Sequence, residues 1–169
     1  MLYKYPYQSE LGIITLLAND HGLLGAWFEN QVNFGGLFDL DSVQSATEHH
    51  QSIIINQSIK WLDAYFKKQP FETIDFQLNP QGTAFQQDVW LELGKIPYGE
   101  MITIGELVER IMARQTKGQG TAKTIAGAIY SNPISIMIPS HRVVIPSNQV
   151  GEQVSKNYLV QILREFETS

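Results

Sequence analysis

The chain of 169 residues contains no cysteine. It can therefore form no disulfide, present no thiolate nucleophile and hold no sulfur-ligated metal. Long apolar runs are absent too. The longest are a few residues, such as Ile53-Ile54-Ile55, against the roughly 20 that a membrane-spanning helix needs. The opening Leu2-Tyr3-Lys4-Tyr5-Pro6-Tyr7 has no basic-then-apolar leader, so a cytoplasmic protein is expected. Nor is there an excess of basic charge. The net charge is −5; residues 1–83 carry 4 basic and 9 acidic side chains, and residues 84–169 carry 8 of each. A nucleic-acid module usually shows a basic footprint, so any such binding must come from local placement rather than from a global field. The unequal halves read as two modules.

In the first half, Gly12 to Leu17 is rich in β-branched and apolar residues. Asn19-Asp20-His21-Gly22 then reads as a turn and Leu23 to Phe28 as the second strand of a hairpin. From about Ser45 to Lys68 the apolar residues Ile54, Ile55, Ile59, Leu62 and Phe66 recur at helical spacing, and Pro70 ends the helix. Phe71 to Leu78 alternates apolar and polar residues, which predicts a further strand. Asn79-Pro80-Gln81-Gly82 has linker composition.

The second half reads as short helices. Thr83-Ala84-Phe85-Gln86 has the hydroxyl-x-x-Gln form of a capping box and opens a helix to about Leu93, stopped by Gly94. Thr103-Ile104-Gly105-Glu106 repeats the pattern and opens a helix to about Ala113. Arg114 to Gly120 is a polar loop, and Thr121 to Ser131 is a third helix bearing Ala122, Ala126, Gly127 and Ala128. Asn132-Pro133 ends it. Ile134 to Ile138 predicts an extended run up to Pro139, and an amphipathic helix from about Ser155 to Glu167 closes the chain. Two helices joined by a loop, the second small-faced, outline a helix-turn-helix. Small residues let a helix approach a nucleic-acid groove, and they equally serve close packing in an ordinary core. The expected fold class is α+β: a small N-terminal sheet-plus-helix domain followed by a C-terminal winged helix-turn-helix domain.

The segment Asn132-Pro133-Ile134-Ser135-Ile136-Met137-Ile138-Pro139-Ser140-His141-Arg142-Val143-Val144 resembles the active-site segment of the O6-alkylguanine-DNA alkyltransferases, where Pro-Cys-His-Arg-Val follows an Asn-Pro hinge. Phe85-Gln86 with Val89-Trp90, then Ile96-Pro97-Tyr98-Gly99-Glu100, look like the start of that family's C-terminal domain. The hairpin with Trp27-Phe28 and the helix with Tyr65-Phe66 resemble the N-terminal domain of bacterial members. The resemblance implies a ribonuclease-H-like domain over 1–79 and a DNA-binding alkyltransferase domain over 80–169. It implies DNA repair by stoichiometric self-alkylation. The third helix enters the minor groove of double-stranded DNA, the O6-alkylguanine is flipped out into a pocket, and a cysteine thiolate takes the alkyl group. A neighbouring His, acting through a water and a distant Glu, makes the thiolate accessible. A monomer without cofactor or membrane partner is implied as well.

Carried over position by position, Ser140 occupies the acceptor position with His141 beside it. Ile129, Asn132, Val143 and Ile104 would line the base pocket. Thr103, Ala122, Lys123, Gly127, Tyr130, Ser131 and Arg142 would contact DNA. The chain departs from the family pattern at several of these positions. Serine replaces the cysteine. Lys123 stands for an arginine that fills the gap left by the flipped base, which loses a planar fork. Ile104 stands for a tyrosine that helps to rotate the nucleotide out. A Gly-Tyr-x-Gly-Gly-like loop is missing from Gln149 to Ser155, and family spacing from Lys156 puts the relay Glu at Leu163, with Glu165 and Glu167 out of register.

These departures favour a degenerate homologue, and the resemblance to relatives that lack the cysteine implies that it would hold alkylated guanine and hand it to another repair pathway. One alternative is an engineered Cys-to-Ser trap of an active methyltransferase. Another is a damage-independent helix-turn-helix that binds DNA or protein, using Arg114, Lys117, Lys123 and Arg142 on phosphates. Ser140-His141 suggests a serine hydrolase, but neighbours on an extended segment face opposite ways, and no Gly-x-Ser-x-Gly elbow is present. Glu48-His49-His50 lie at adjacent helical positions that do not converge on one ion, so no metal is expected. Trp27, Trp61 and Trp90 are expected in the core.

Overall fold

β-Branched and aromatic residues in the first 28 positions build three strands rather than the expected two. In the computed structural model these are β1 (Tyr3–Ser9), β2 (Gly12–Ala18) and β3 (Leu23–Phe28), paired antiparallel in that order. Pro6 sits within β1, where an edge position spares the sheet the missing donor. The turn between β2 and β3 is fixed by Asn19, whose Oδ1 accepts from the amides of His21 and Gly22 at 2.8 and 2.9 Å. The structure describes residues 1–43, 52–69, 74–114, 121–146 and 158–169. They divide into two compact units, Met1–Gln81 with Pro133–Ser135, and Gly82–Asn132 with Ile136–Ser169.

In the N-terminal unit, β3 is buried along its whole length, and Trp27 packs with Leu17, Leu24, Leu40 and Val43. Helix α1 (Ile53–Phe66) is capped by Ser52, whose Oγ accepts from the Ile55 amide. It starts later than the periodicity suggested; residues 45–51 and Pro70 lie outside the described residues. Trp61 is half-buried and stacks on Tyr65. No strand forms over the described part of the Phe71–Leu78 segment. Its contribution is one parallel bridge, Leu23 to Leu78, because β3 shares its free edge between two segments. Leu23 bonds Gln77 and Asn79, while Ala26 bonds Pro133 and Ser135. The expected extended run over Ile134–Ile138 is also corrected: after the bridge at Ile134 the chain turns, with Ile136 at φ 72°.

Gly25 faces Trp27 so closely that a Cβ there would lie 1.9 Å from the ring's Cη2. Gly25→Ala is therefore expected to cost about 1–3 kcal/mol through overpacking, read from the midpoint of urea unfolding. An unchanged midpoint would show that the ring has room to shift.

In the C-terminal unit, α2 (Ala84–Leu93) carries the full capping box expected of Thr83 and Gln86, and Gly94 is its C-cap. Trp90 donates its indole N–H to the Ala128 carbonyl at 2.8 Å, tying α2 to α4 (Ala122–Tyr130). Strand β4 (Ile102–Thr103) leads into α3 (Ile104–Arg114), where Thr103 Oγ1 accepts from the Glu106 amide. Helix α4 has a capping box too, with Thr124 in the place usually taken by Glu or Gln. Strand β5 (Val143–Val144) pairs in parallel with β4, and α5 (Tyr158–Thr168) follows. The α+β class holds: a strand meander with one long helix, and a unit built on the α3–α4 pair with a short β ladder. Among the described residues no helix is long and apolar enough to cross a membrane.

Candidate functional site

Ser140, His141 and Arg142 form one 3-10 turn rather than the end of an extended run. Asn132, itself buried at the end of α4, holds that turn by its side-chain amide. Its Nδ2 donates to the Ile138 carbonyl at 2.7 Å and to Ser140 Oγ at 2.5 Å. Ser140 is half-buried and His141 is buried. The premise that these two side chains alternate across a strand therefore fails. His141 still does not serve Ser140 through Nε2, because that atom lies 2.6 Å from Glu167 Oε2.

Glu167 is the residue that counting along the sequence missed. Family spacing pointed to Leu163, which is a buried apolar residue of α5. Leu159, Leu163 and Glu167 are all buried and recur every four residues, so the acid continues the apolar face of the helix. That acid on a buried stripe was the available signal, since a buried carboxylate demands a partner. Its side-chain partners include His141 and Arg142, and the Gly99 amide donates to Oε1 at 3.4 Å. Arg142 Nε and Nη2 reach the two carboxylate oxygens at 2.8 and 3.0 Å, and Nη1 donates to the Ile96 carbonyl at 2.7 Å. The Tyr98 ring lies 5.6 Å from the guanidinium carbon.

The charges follow from this geometry. Burial pushes His141 below its usual pKa, outweighing the pull of Glu167 in the other direction. A neutral imidazole facing a carboxylate carries its proton on Nε2 and donates it. Burial alone would raise the Glu167 carboxyl, but hydrogen bonds from His141 and Arg142 and the charge of Arg142 hold it at about 2.

Arg142 was expected to contact DNA phosphate. Its placement corrects that: the side chain is buried, and Nε, Nη1 and Nη2 all bond inside the unit. Arg114 is engaged as well, 3.0 Å from the buried Glu92, and Lys117 lies outside the described residues. Thr103, Lys123 and Gly127 are exposed, whereas Ala122, Tyr130 and Ser131 are half-buried. Gly127 is informative, because a Cβ there would meet nothing within 4 Å while Ala126 and Ala128 are buried. Its smallness answers to no packing demand among the described residues. The expected pocket residues Ile104, Ile129, Asn132 and Val143 are all buried. Thr103, Ile104 and Ala122 share an open groove of about 500 Å³ with Val108, Val144 and Pro146, and the starts of α3 and α4 meet there. Ser140 does not line it. Glu48, His49 and His50 lie outside the described residues.

Comparison with known proteins adds an independent line. Residues 1–80 match the family described as 6-O-methylguanine DNA methyltransferase, ribonuclease-like domain, and residues 84–168 match its DNA binding domain. The chain is 31% identical to the methylated-DNA–protein-cysteine methyltransferase of Methanosarcina acetivorans over 170 residues, covering 99% of each. It is 36% identical to the protein of the same name from Haemophilus influenzae over 167 residues, covering 95% of this chain and 86% of that one. The crystal structure of Mycobacterium tuberculosis O6-methylguanine methyltransferase superposes with a TM-score of 0.77 at 26% identity, covering 99% of this chain and 93% of that one. Mycobacterium tuberculosis OGT in complex with DNA gives 0.70 at 25%, covering 99% and 95%.

Proposed function

Because this chain belongs to the 6-O-methylguanine DNA methyltransferase family, we propose that it is a DNA-repair protein that binds O6-alkylguanine in double-stranded DNA and does not accept the alkyl group. One observation carries the proposal. The relatives are named for moving a methyl group from DNA to a protein cysteine, and this chain has no cysteine and offers Ser140 on the turn held by Asn132. The attacking species in such a transfer is an anion. A thiol, with a pKa near 8.5, supplies one readily, whereas an alcohol resembles water at about 15.7. His141 offers Ser140 no help through Nε2, whose proton points at Glu167.

Binding requires less than transfer does. The exposed Thr103, Lys123 and Gly127, with Ala122, Tyr130 and Ser131, would follow the minor groove along α4, and the open space at Gly127 suits close approach to a groove wall. Ile104, Ile129, Val143 and Asn132 would meet the flipped base. The protein would act as a cytoplasmic monomer without cofactor and pass the held lesion to another repair pathway. Its two functional parts would be 1–79 and 80–169.

The test is a fluorescence-anisotropy titration against two short duplexes that differ by one O6-methylguanine in place of guanine. Tighter binding to the lesion is the expected result. Equal binding would transfer the proposal to a damage-independent helix-turn-helix, and no binding would remove DNA altogether. With Arg142 and Arg114 engaged internally, Lys123 becomes the cation of α4 that serves phosphate. Lys123→Ala should weaken both duplexes equally and reduce the slope of log K against log salt by about 1. An unchanged slope would make Lys123 a bystander.

A further inference from the structure

The turn at Ser140 is gripped from one side by side chains one helical turn apart on α5. Glu167 takes the side chains of His141 and Arg142. Arg164 takes the backbone: its Nε donates to the His141 carbonyl and its Nη2 to the Val143 carbonyl, each at 2.6 Å. The turn's own bonds are Arg142 N–H to Pro139 O and Val143 N–H to Ser140 O, and they leave those two carbonyls facing α5. A planar guanidinium spans two carbonyls two residues apart with fixed geometry, which an ammonium cannot do.

We infer that Arg164 is a positioning residue for lesion recognition, setting where His141, the neighbour of Ser140, and Val143 stand relative to each other. Its reach extends further. Val143 and Val144 pair with Ile102 and Thr103, and Thr103 leads directly into Ile104. One guanidinium on α5 thereby couples the acceptor-position turn to the start of α3, where two of the proposed base- and DNA-contacting residues lie. This inference rests on the lesion-binding proposal above, and the effect is one of specificity rather than of affinity at large.

Two measurements on Arg164→Met and Arg164→Lys test it. The first is the ratio of affinities for the O6-methylguanine and guanine duplexes. Arg164→Met should lower that ratio about tenfold, the worth of one hydrogen bond to a charged group, with binding to the guanine duplex unchanged. Arg164→Lys, keeping the charge and one bond, should restore part of the ratio. A residue that only stabilises the fold would weaken both duplexes together and leave the ratio alone, and that result would overturn the inference. The second is amide hydrogen exchange at Arg142 and Val143, which does not depend on DNA. Arg164→Lys, the milder variant, should already speed exchange there severalfold while Val89 to Leu93 of α2 keep their protection. If the wild-type chain shows no lesion preference, the lesion-binding proposal fails by itself. The exchange data then still decide whether Arg164 holds the turn, and unchanged exchange would overturn that as well.

Discussion

Incubated with duplex DNA carrying a radiolabelled O6-methyl group, the chain is expected to stay unlabelled, whereas Ser140→Cys should take up label. The expected difference is the largest that this site allows. At neutral pH a few per cent of an ordinary thiol is thiolate, and the anion of an alcohol is about seven orders of magnitude rarer. Transfer to the cysteine variant should nonetheless be slow, because Ile104 and Lys123 remain where the resemblance implies a nucleotide-rotating tyrosine and a gap-filling arginine. Adding Ile104→Tyr and Lys123→Arg should accelerate it. Fast stoichiometric labelling of Ser140→Cys alone would mean that a single atom separates this chain from an active methyltransferase, which is what an engineered trap would show. Label on the unmodified chain would end the proposal that it does not accept alkyl groups.

Removing Glu167 should have the greatest effect on stability. Glu167→Ala strips the buried Arg142 of its carboxylate and His141 of its hydrogen-bond acceptor. Breaking a buried pair from one side costs about 3–5 kcal/mol, because the remaining charge stays in the interior without compensation. Urea unfolding at pH 7 measures it, and a loss below about 1 kcal/mol would show that water reaches Arg142 when the acid is gone. Glu167→Gln should fall between the two, since it fills the space and accepts one bond but leaves the charge unbalanced.

The pH dependence of the same pair has a definite sign. The folded Glu167 carboxyl titrates at about 2, below its ordinary 4.5, so the unfolded chain binds its proton first. Its stabilisation is complete above about pH 5 and disappears as the pH falls towards 2. His141 is also depressed, so the unfolded chain again takes up the proton first and stability declines as the pH drops through the ordinary histidine value of 6.5. Both groups make the fold acid-sensitive. The gap in unfolding free energy between wild type and Glu167→Ala should therefore narrow on acidification, and a gap that stays constant down to pH 2 would remove Glu167 as its source.

Features that are local in the chain were legible from it. The Thr83–Gln86 capping box and the stop at Gly94 involve partners four residues apart or fewer, so residue type alone specifies them. The β2–β3 hairpin follows from two apolar runs around an Asn-Asp-His-Gly turn. The missing thiol needed only the composition, and membership of the family was readable in the segment from Asn132 to Val144. Local rules misled where two segments competed for one partner. Alternation from Phe71 to Leu78 looked like a strand, yet β3 gives its free edge partly to Gln77–Asn79 and partly to Pro133–Ser135.

Thus the sequence by itself determined the family, the capped helices and the β2–β3 hairpin, and the absence of a thiol, because each depends on residue identity within a few positions. The tertiary structure alone decided what surrounds Ser140. Whether Glu165 or Glu167 meets His141 depends on the phase in which α5 docks, a matter of about 100° per residue for a helix that spacing along a chain of variable loops does not carry. Docking turned Glu167 inward to an imidazole 26 residues away and drew Arg142 to the same carboxylate. That took into the interior an arginine that the resemblance had assigned to phosphate, because a buried carboxylate is stable only where a cation and hydrogen-bond donors meet it.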